Sequence, residues 1–367
     1  MKSIAILSAA NNIHTIRWAN GLAGKGCRVH VLSLHKPNSD NIAFFPEVTI
    51  HVLAPSPFLG YFFAYRELKK ILVKIRPEIL NAHYATGYGL LARLSGFHPL
   101  LLSVWGSDVY NFPTYSVFHR FFLKENLKNA DALASTSHCM AREIKKNYDH
   151  SHVFITSFGV DEQKFFPFPK NEKKKNVHIG TVKTLSENYG IDILLQAFAL
   201  VRRKCTVDIY LSIAGKGKDE EELRLLAQKL GIADTVNFLG FISHDQVPFV
   251  LNSLDIYVAL SRKESFGVAV LEASACGKPV VVSDAEGLEE VVENGKTGFV
   301  VGKDDPLAAA DALLRLIEDP SLRCEMGENG RQRVLKYYTW EHSLNEMLQA
   351  YEKTIALVKK EFALVEK

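Results

Sequence analysis

Short runs rich in β-branched residues alternate with longer amphipathic stretches along most of the chain: SIAIL, then residues 13–25, then RVHVLSL, and later EILNAHY, LLSVWG, DALAST and HVFITS. This rhythm predicts βαβ units, in which parallel strands are joined by crossover helices. The charged segment PFPKNEKKKN, 167–176, has neither a strand nor a helix period and reads as a linker. Beyond it the rhythm resumes with VHIGTV, VDIYLSIAG, VNFLGF, DIYVALS, KPVVVS and GFVV. DEEELRLLAQKLG has acids in its first turn, Lys229 in its last and Gly231 after it, the punctuation of a helix. The expectation is an α/β protein of two doubly wound, Rossmann-like domains, 1–166 and 177–349, with a C-terminal helix of about 350–367 placed as returning to the first. Ligands of such sheets sit beyond the carboxyl ends of the strands, so a site enclosed by both domains is expected.

Composition narrows the class. A chain of 367 residues exceeds the roughly 250–300 at which single cores stop growing. Hydrophobic residues at 47% and charged residues at 23% fit neither a disordered nor a membrane-spanning chain. Five scattered cysteines, Cys27, Cys139, Cys205, Cys276 and Cys324, include no CxxC pair, which argues against a disulfide framework or a zinc site and fits a reducing cytoplasm. The apolar run Ile4–Leu7 is shorter than the roughly 7–15 residues of a signal-peptide core and reads as the first strand. Residues 1–165 carry 18 Lys and Arg against 11 Asp and Glu, while the remainder carries 26 against 30; the first half either faces something anionic or shows the ordinary scatter of charge along a chain.

The chemistry is concentrated in RKESFGVAVLEASACGKPVVV, 262–282. A strand ends, a loop follows, and a helix opens at Gly267, where the amides of Ser265, Phe266, Gly267 and Val268 make an anion site suited to phosphate. Glu264 and Glu272 flank it. Each carboxylate can hold a vicinal diol through charge-assisted hydrogen bonds worth about 1.5–3 kcal/mol each, which suggests a sugar, a diphosphate and a second sugar: a nucleotide sugar. The alternative is that Glu264 pairs with Arg262 or Lys263 on a surface loop and Glu272 caps a neighbouring element.

The pattern from Glu264 through SFGVAVL, Glu272 and ASACGKPVVVSDAEGLEEVVENGKTGFVV resembles the signature of the retaining glycosyltransferases of the GT-B fold called group 1, family 4-like. IAGKGKDEEELRLLAQKLGIADTVNFLGFIS and VFITSFGVDEQKF resemble segments of the same family, and GLAGKGCRVHVLS and WGSD do so more loosely. The resemblance implies that Glu264 contacts the donor sugar, Glu272 the ribose, the Ile242 backbone the base, and Gly267 and Val268 the diphosphate. Gly180, Gly215 and Lys216 of IGTVKTL and GKG join the donor set. Where the family has Arg and Lys after the first strand of the second domain, this chain has Lys183 and Tyr189, so one diphosphate cation is missing. In SVWGSDVY, Trp105 stands where a His is usual, leaving Asp108 as a catalytic candidate or the cap of the next turn. His83 of NAHYATGYG is a second catalytic candidate or a satisfied structural histidine. In NNIHTIRW, Asn11 and Asn12 replace a glycine pair and can take a left-handed turn, making Asn12, His14 and Arg17 the acceptor candidates.

No DxD triplet occurs, so no metal is expected; His150 and His152 of DHSH read as loop residues, and no catalytic triad is apparent. The stretch 57–76, PFLGYFFAYRELKKILVKIR, combines Phe58, Tyr61, Phe62, Phe63 and Tyr65 with Arg66, Lys69, Lys70, Lys74 and Arg76. It reads as a helix lying on an acidic membrane surface, or as a core helix facing the sheet with Leu68, Ile71, Leu72 and Ile75. Nucleic-acid motifs are absent. The expected activity is retaining transfer from a UDP- or GDP-linked sugar to a hydroxyl of a saccharide or lipid-linked saccharide. It is placed in surface polysaccharide, lipopolysaccharide or glycolipid assembly, in the cytoplasm or peripherally at the inner face of the cell membrane. A nucleotide-sugar-binding partner subunit and a nucleotide-sugar epimerase of the same fold are the alternatives.

Overall fold

The computed structural model describes residues 3–37, 43–53, 60–169 and 176–365. It divides into two units, Met1–Ser157 with Ser343–Lys367, and Phe158–His342. The first boundary falls at Ser157 rather than 166, and the returning segment begins at Ser343 rather than about 350. The reason is local pairing: the Val160 N–H donates to the Tyr338 carbonyl and the Val160 carbonyl accepts from the Trp340 N–H, both at 2.8 Å. Phe165 is buried within the second unit as well. Residues 170–175 of the expected linker lie outside the described residues.

The first unit runs β1 (Ser3–Leu7), α1 (Ile13–Gly24), β2 (Arg28–Ser33), β3 (Thr49–Val52), α2 (Gly60–Ile75), β4 (Ile79–His83), α3 (Gly87–Ser95), β5 (Leu100–Val104), α4 (Ser107–Tyr110), α5 (Val117–Asn129), β6 (Ala132–Ser135), α6 (His138–Asn147) and β7 (Val153–Ile155). The strands pair in parallel in the order β3-β2-β1-β4-β5-β6-β7. Ile4, Ala5, Ile6 and Leu7 are all fully buried, which is why β1 is one unbroken apolar run. β1 pairs with both β2 and β4, so the winding reverses there, and the ligand-binding position of such a sheet is at their carboxyl ends.

In α2 the apolar stripe is spent on the core: Ala64, Leu68 and Leu72 are buried, with Tyr65, Ile71 and Ile75 packed behind them. Phe58 lies outside the described residues, as do the side chains of Tyr61, Phe62 and Phe63. No helix among the described residues is long and apolar enough to cross a membrane.

The second unit runs β8 (Val177–Val182), α7 (Ile191–Lys204), β9 (Ile209–Ala214), α8 (Glu220–Lys229), β10 (Val236–Gly240), α9 (Val247–Ser253), β11 (Ile256–Ala259), α10 (Val268–Ala275), β12 (Val280–Ser283), α11 (Glu286–Val291), β13 (Gly298–Val301), α12 (Pro306–Glu318) and α13 (Pro320–Tyr337). Its parallel order is β10-β9-β8-β11-β12-β13, with the reversal between β8 and β11. Helix α14 (Trp340–Val365) follows. From Ser343 it packs in the first unit, where the Tyr351 hydroxyl donates to Asn81 Oδ1 at 2.8 Å.

Candidate active site

At the reversal point of the second sheet, the loop after β11 carries Arg262 to Phe266 and leads into α10. Arg262 anchors it: the guanidinium lies 2.7 Å from Asp192 of α7 and 2.7 Å from Asp304. With Arg262 committed there, Glu264 turns to the end of β8, where its Oε2 lies 2.5 Å from Lys183 Nζ. Both side chains are largely buried, at 9% exposure for Lys183 and 15% for Glu264. Burial by itself would favour neutral Lys183, but the Glu264 charge, Tyr257 and the hydrogen bond outweigh it and hold the ammonium above its ordinary pKa. Tyr189 occupies the position of the missing second cation, and its ring centroid lies 5.0 Å from Lys183 Nζ. It therefore adds a negative ring face to the first cation.

Gly267 caps α10 with φ +100°, and a Cβ there would lie 2.9 Å from Leu288. The first helical bond runs from the Val270 N–H to the Gly267 carbonyl at 3.0 Å, and the amides of Gly267, Val268 and Ala269 precede it. Phe266 itself is buried edge-on to Tyr338, with centroids 6.0 Å apart, so only its backbone suits a ligand. Glu272, one turn into the helix, is buried and its Oε1 lies 3.2 Å from His244 Nε2. Lys164 Nζ lies 3.0 Å from the other nitrogen of His244 and 2.6 Å from Asp245. An ammonium can only donate, so Nδ1 accepts and the Nε2–H points at Glu272. His244 and Lys164 were not among the expected residues. The histidine lies two residues beyond Ile242, but its lysine partner is 80 positions away in the chain, beyond the reach of a local pattern.

The remaining donor candidates separate. Gly215 has φ +141°, and a Cβ there would strike the Lys183 carbonyl, so it lets the loop after β9 close on the Lys183 loop. Lys216 is exposed at that turn, and half-buried Ile242 follows the strand that ends at Gly240. Gly180 serves packing instead: a Cβ would sit 2.6 Å from Leu254, inside the sheet.

The candidates of the first unit cluster at the carboxyl ends of β1, β4 and β5, but most are locked. Asp108 is fully buried and accepts from the amides of Ala85 at 2.9 Å, Gly106 at 2.8 Å and Trp105 at 3.2 Å. Desolvation raises its pKa although these bonds oppose the shift. It ties the loop after β4 to the loop after β5, a structural role of the kind expected as the alternative to catalysis. His83 is also fully buried: Nε2 lies 2.8 Å from Asn81 Oδ1, and Nδ1 has no hydrogen-bond partner. Burial, with some help from His14, pushes it down to about 3, so it is neutral at working pH. Trp105 packs 4.9 Å from the His83 ring and 5.7 Å from that of His14. Asn12 is not left-handed; with φ −93° it caps α1 by accepting from the His14 N–H at 2.8 Å. His14 and Arg17 are half-buried on the first turns of that helix. Tyr84, unflagged by the sequence, has φ 77° right after β4 and bonds Ser107 through its hydroxyl, a strained position at the reversal point.

Among the described residues no group of three or more His, Cys, Asp or Glu is placed to hold a metal ion. His150 is a loop residue, as expected, with Nε2 2.9 Å from the Ala130 carbonyl and Nδ1 accepting from the His152 N–H at 3.0 Å.

Two parallel sheets flanked by helices, each reversing at a loop-built site, are the units of the GT-B fold. Sucrose-phosphate synthase from Thermosynechococcus elongatus superposes with a TM-score of 0.81 at 22% identity, covering 97% of this chain and 100% of that one. Anabaena Alr3699/HepE, solved in complex with UDP and glucose, does so with a TM-score of 0.78 at 18% identity, covering 96% and 100%. The family profile for glycosyl transferases group 1 matches residues 162–333, and that for glycosyl transferase 4-like proteins matches residues 3–137. The chain belongs to the group 1 glycosyltransferases. Among its relatives, N-acetyl-alpha-D-glucosaminyl L-malate synthase of Bacillus anthracis is 27% identical over 361 residues, 90% of each chain. D-inositol 3-phosphate glycosyltransferase of Gordonia bronchialis is 26% identical over 386 residues, covering 94% of this chain and 84% of that protein.

Proposed function

We propose that this glycosyltransferase moves a sugar, with retention, from a UDP- or GDP-linked donor to a hydroxyl of a saccharide or lipid-linked saccharide. It would work without a metal, at the cytoplasmic face of the cell membrane, in surface polysaccharide, lipopolysaccharide or glycolipid assembly. The observation that carries this reading is the buried Lys183–Glu264 pair beside the mouth of α10. A carboxylate held there by one ammonium still has lone pairs for sugar hydroxyls, and Lys183 and the α10 amides suit the departing diphosphate. Glu272, oriented by His244, would take the ribose diol.

In the proposed step the bond between the sugar's anomeric carbon and the diphosphate oxygen breaks, and the electron pair leaves with the diphosphate. The acceptor oxygen attacks from the same face, and its proton passes to a phosphate oxygen. His83 is fully buried where its imidazolium is disfavoured, so it is a weak base for this step. The test is incubation with UDP- and GDP-sugars, with and without saccharide acceptors. Glycoside product and free nucleoside diphosphate are expected. An epimerised nucleotide sugar, or binding with no turnover, would replace this reading with the epimerase or the partner subunit.

A further inference from the structure

We propose that the first half of α5, with the turn before it, is a membrane-docking face that seats aromatic side chains in an anionic lipid bilayer. It takes from the proposed function only the membrane location and is independent of the donor chemistry. Tyr115, Val117, Phe118, Phe121 and Phe122 are exposed by 69%, 82%, 76%, 57% and 41%. Five large apolar side chains within eight residues form a contiguous patch of the kind that marks an interaction surface. At 100° per residue the patch points away from Leu123, Asn126 and Leu127, which hold the helix to the core.

The patch is rigidly presented. Ser116 caps α5, and its hydroxyl lies 2.7 Å from His119 Nδ1. The His119 ring in turn packs against Phe112 and Tyr115 at 4.7 and 5.7 Å.

Charge selects the occupant. Arg120, Lys124 and Lys128 are exposed beside the aromatic sector, and Glu125 is the single acid in the helix. Helix α2 packs on α3 and α3 on α5, so the exposed Lys69, Lys70 and Lys74 belong to the same helical layer. The whole unit carries 21 Lys and Arg against 13 Asp and Glu. A second copy on this face would bring like charges together, and protein interfaces are depleted in lysine at their centres. A bilayer of acidic lipid accepts both halves: rings at the headgroup boundary and ammonium groups over the phosphates.

The test is flotation of the full chain with vesicles of phosphatidylcholine alone or with phosphatidylglycerol, without nucleotide sugar. Binding is expected only with the acidic lipid, weakening as salt is raised. Phe118→Ser with Phe121→Ser should lower the bound fraction about tenfold, and Lys124→Ser with Lys128→Ser several-fold. In Phe118→Trp, difference spectra should show the new indole shifting to the blue on vesicle addition and quenched by brominated acyl chains, a readout from folded protein. Acidic-vesicle binding that survives Phe118→Ser with Phe121→Ser would place docking elsewhere and overturn the assignment. So would absence of binding, or a wild-type dimer that this variant dissociates. Transfer to a soluble acceptor would stand in each case, so the two readings fail separately.

Discussion

The two sheets reverse in the same way, yet the groups at their reversal points are held differently. In the second unit the acids are paired with side-chain cations or imidazole: Glu264 with Lys183, Glu272 with His244. Such partners keep charge in a partly buried place and leave lone pairs for a ligand. In the first unit two of the polar groups are closed off: Asp108 accepts from three backbone amides, and fully buried His83 packs against Trp105. An exchangeable partner marks a site that can bind; a backbone clamp marks one that shapes a loop.

The largest effect expected from this contrast lies in the second unit. Glu264→Gln or Lys183→Met should lower kcat by about 10²–10³-fold and destabilise the fold by about 3–5 kcal/mol, because each leaves a buried charge unpaired. The double variant Lys183→Met with Glu264→Gln should recover most of the melting temperature and none of the turnover. Recovery of turnover would break the contrast.

Asp108→Asn should act mainly on stability. Replacing one acceptor oxygen by an amide that faces backbone N–H groups should cost about 1–3 kcal/mol, while kcat below the melting transition changes less than threefold by order of magnitude. A kcat loss as large as that of Glu264→Gln would return Asp108 to the catalytic set.

His83 sets an acid limit. Its folded pKa of about 3 lies below the unfolded value near 6.5, so the unfolded chain takes up the proton first as pH falls. Its contribution is intact above about pH 6.5 and is lost progressively toward pH 3, at up to roughly 1.4 kcal/mol per pH unit. His83→Gln should flatten the fall of stability between pH 6 and 4, followed by denaturant unfolding. An unchanged slope would show that the imidazole is not the group responsible.

His244→Ala should have the smallest effect on chemistry, raising the donor KM several-fold with kcat nearly unchanged, since it orients Glu272 and touches no reacting atom in this reading. A fall in kcat with KM unchanged would move His244 into the reaction.

Much of this was legible in the residues. Strand-length apolar runs such as SIAIL and KPVVVS are buried on both faces, so their continuity signalled a parallel sheet directly. Glu264, Gly267 and Glu272 were legible because loop and helix fix their spacing locally. What escaped depends on distant neighbours. Nothing near Lys164 announces His244, and no local pattern separates a clamping Asp108 from a reactive one until the amide of Ala85 is brought beside it. Asn12 misled for a related reason: its side chain suits both a left-handed turn and a helix cap, and the helix that follows took the cap. The run of α2 reads either as a membrane face or as a core helix; its stripe of Ala64, Leu68 and Leu72 is buried in the core, while α5, unflagged by the sequence, exposes Phe118, Phe121 and Phe122.

The central claim is that a nucleoside diphosphate binds at the mouth of α10, between its amides and Lys183, with the ribose on Glu272. Crystals soaked with UDP or GDP test it most directly. Diphosphate density against Gly267 to Ala269, with the ribose hydroxyls on Glu272, is the predicted result. Ordered nucleotide elsewhere in the second unit, with Glu272 still on His244 and the α10 amides open, would contradict it.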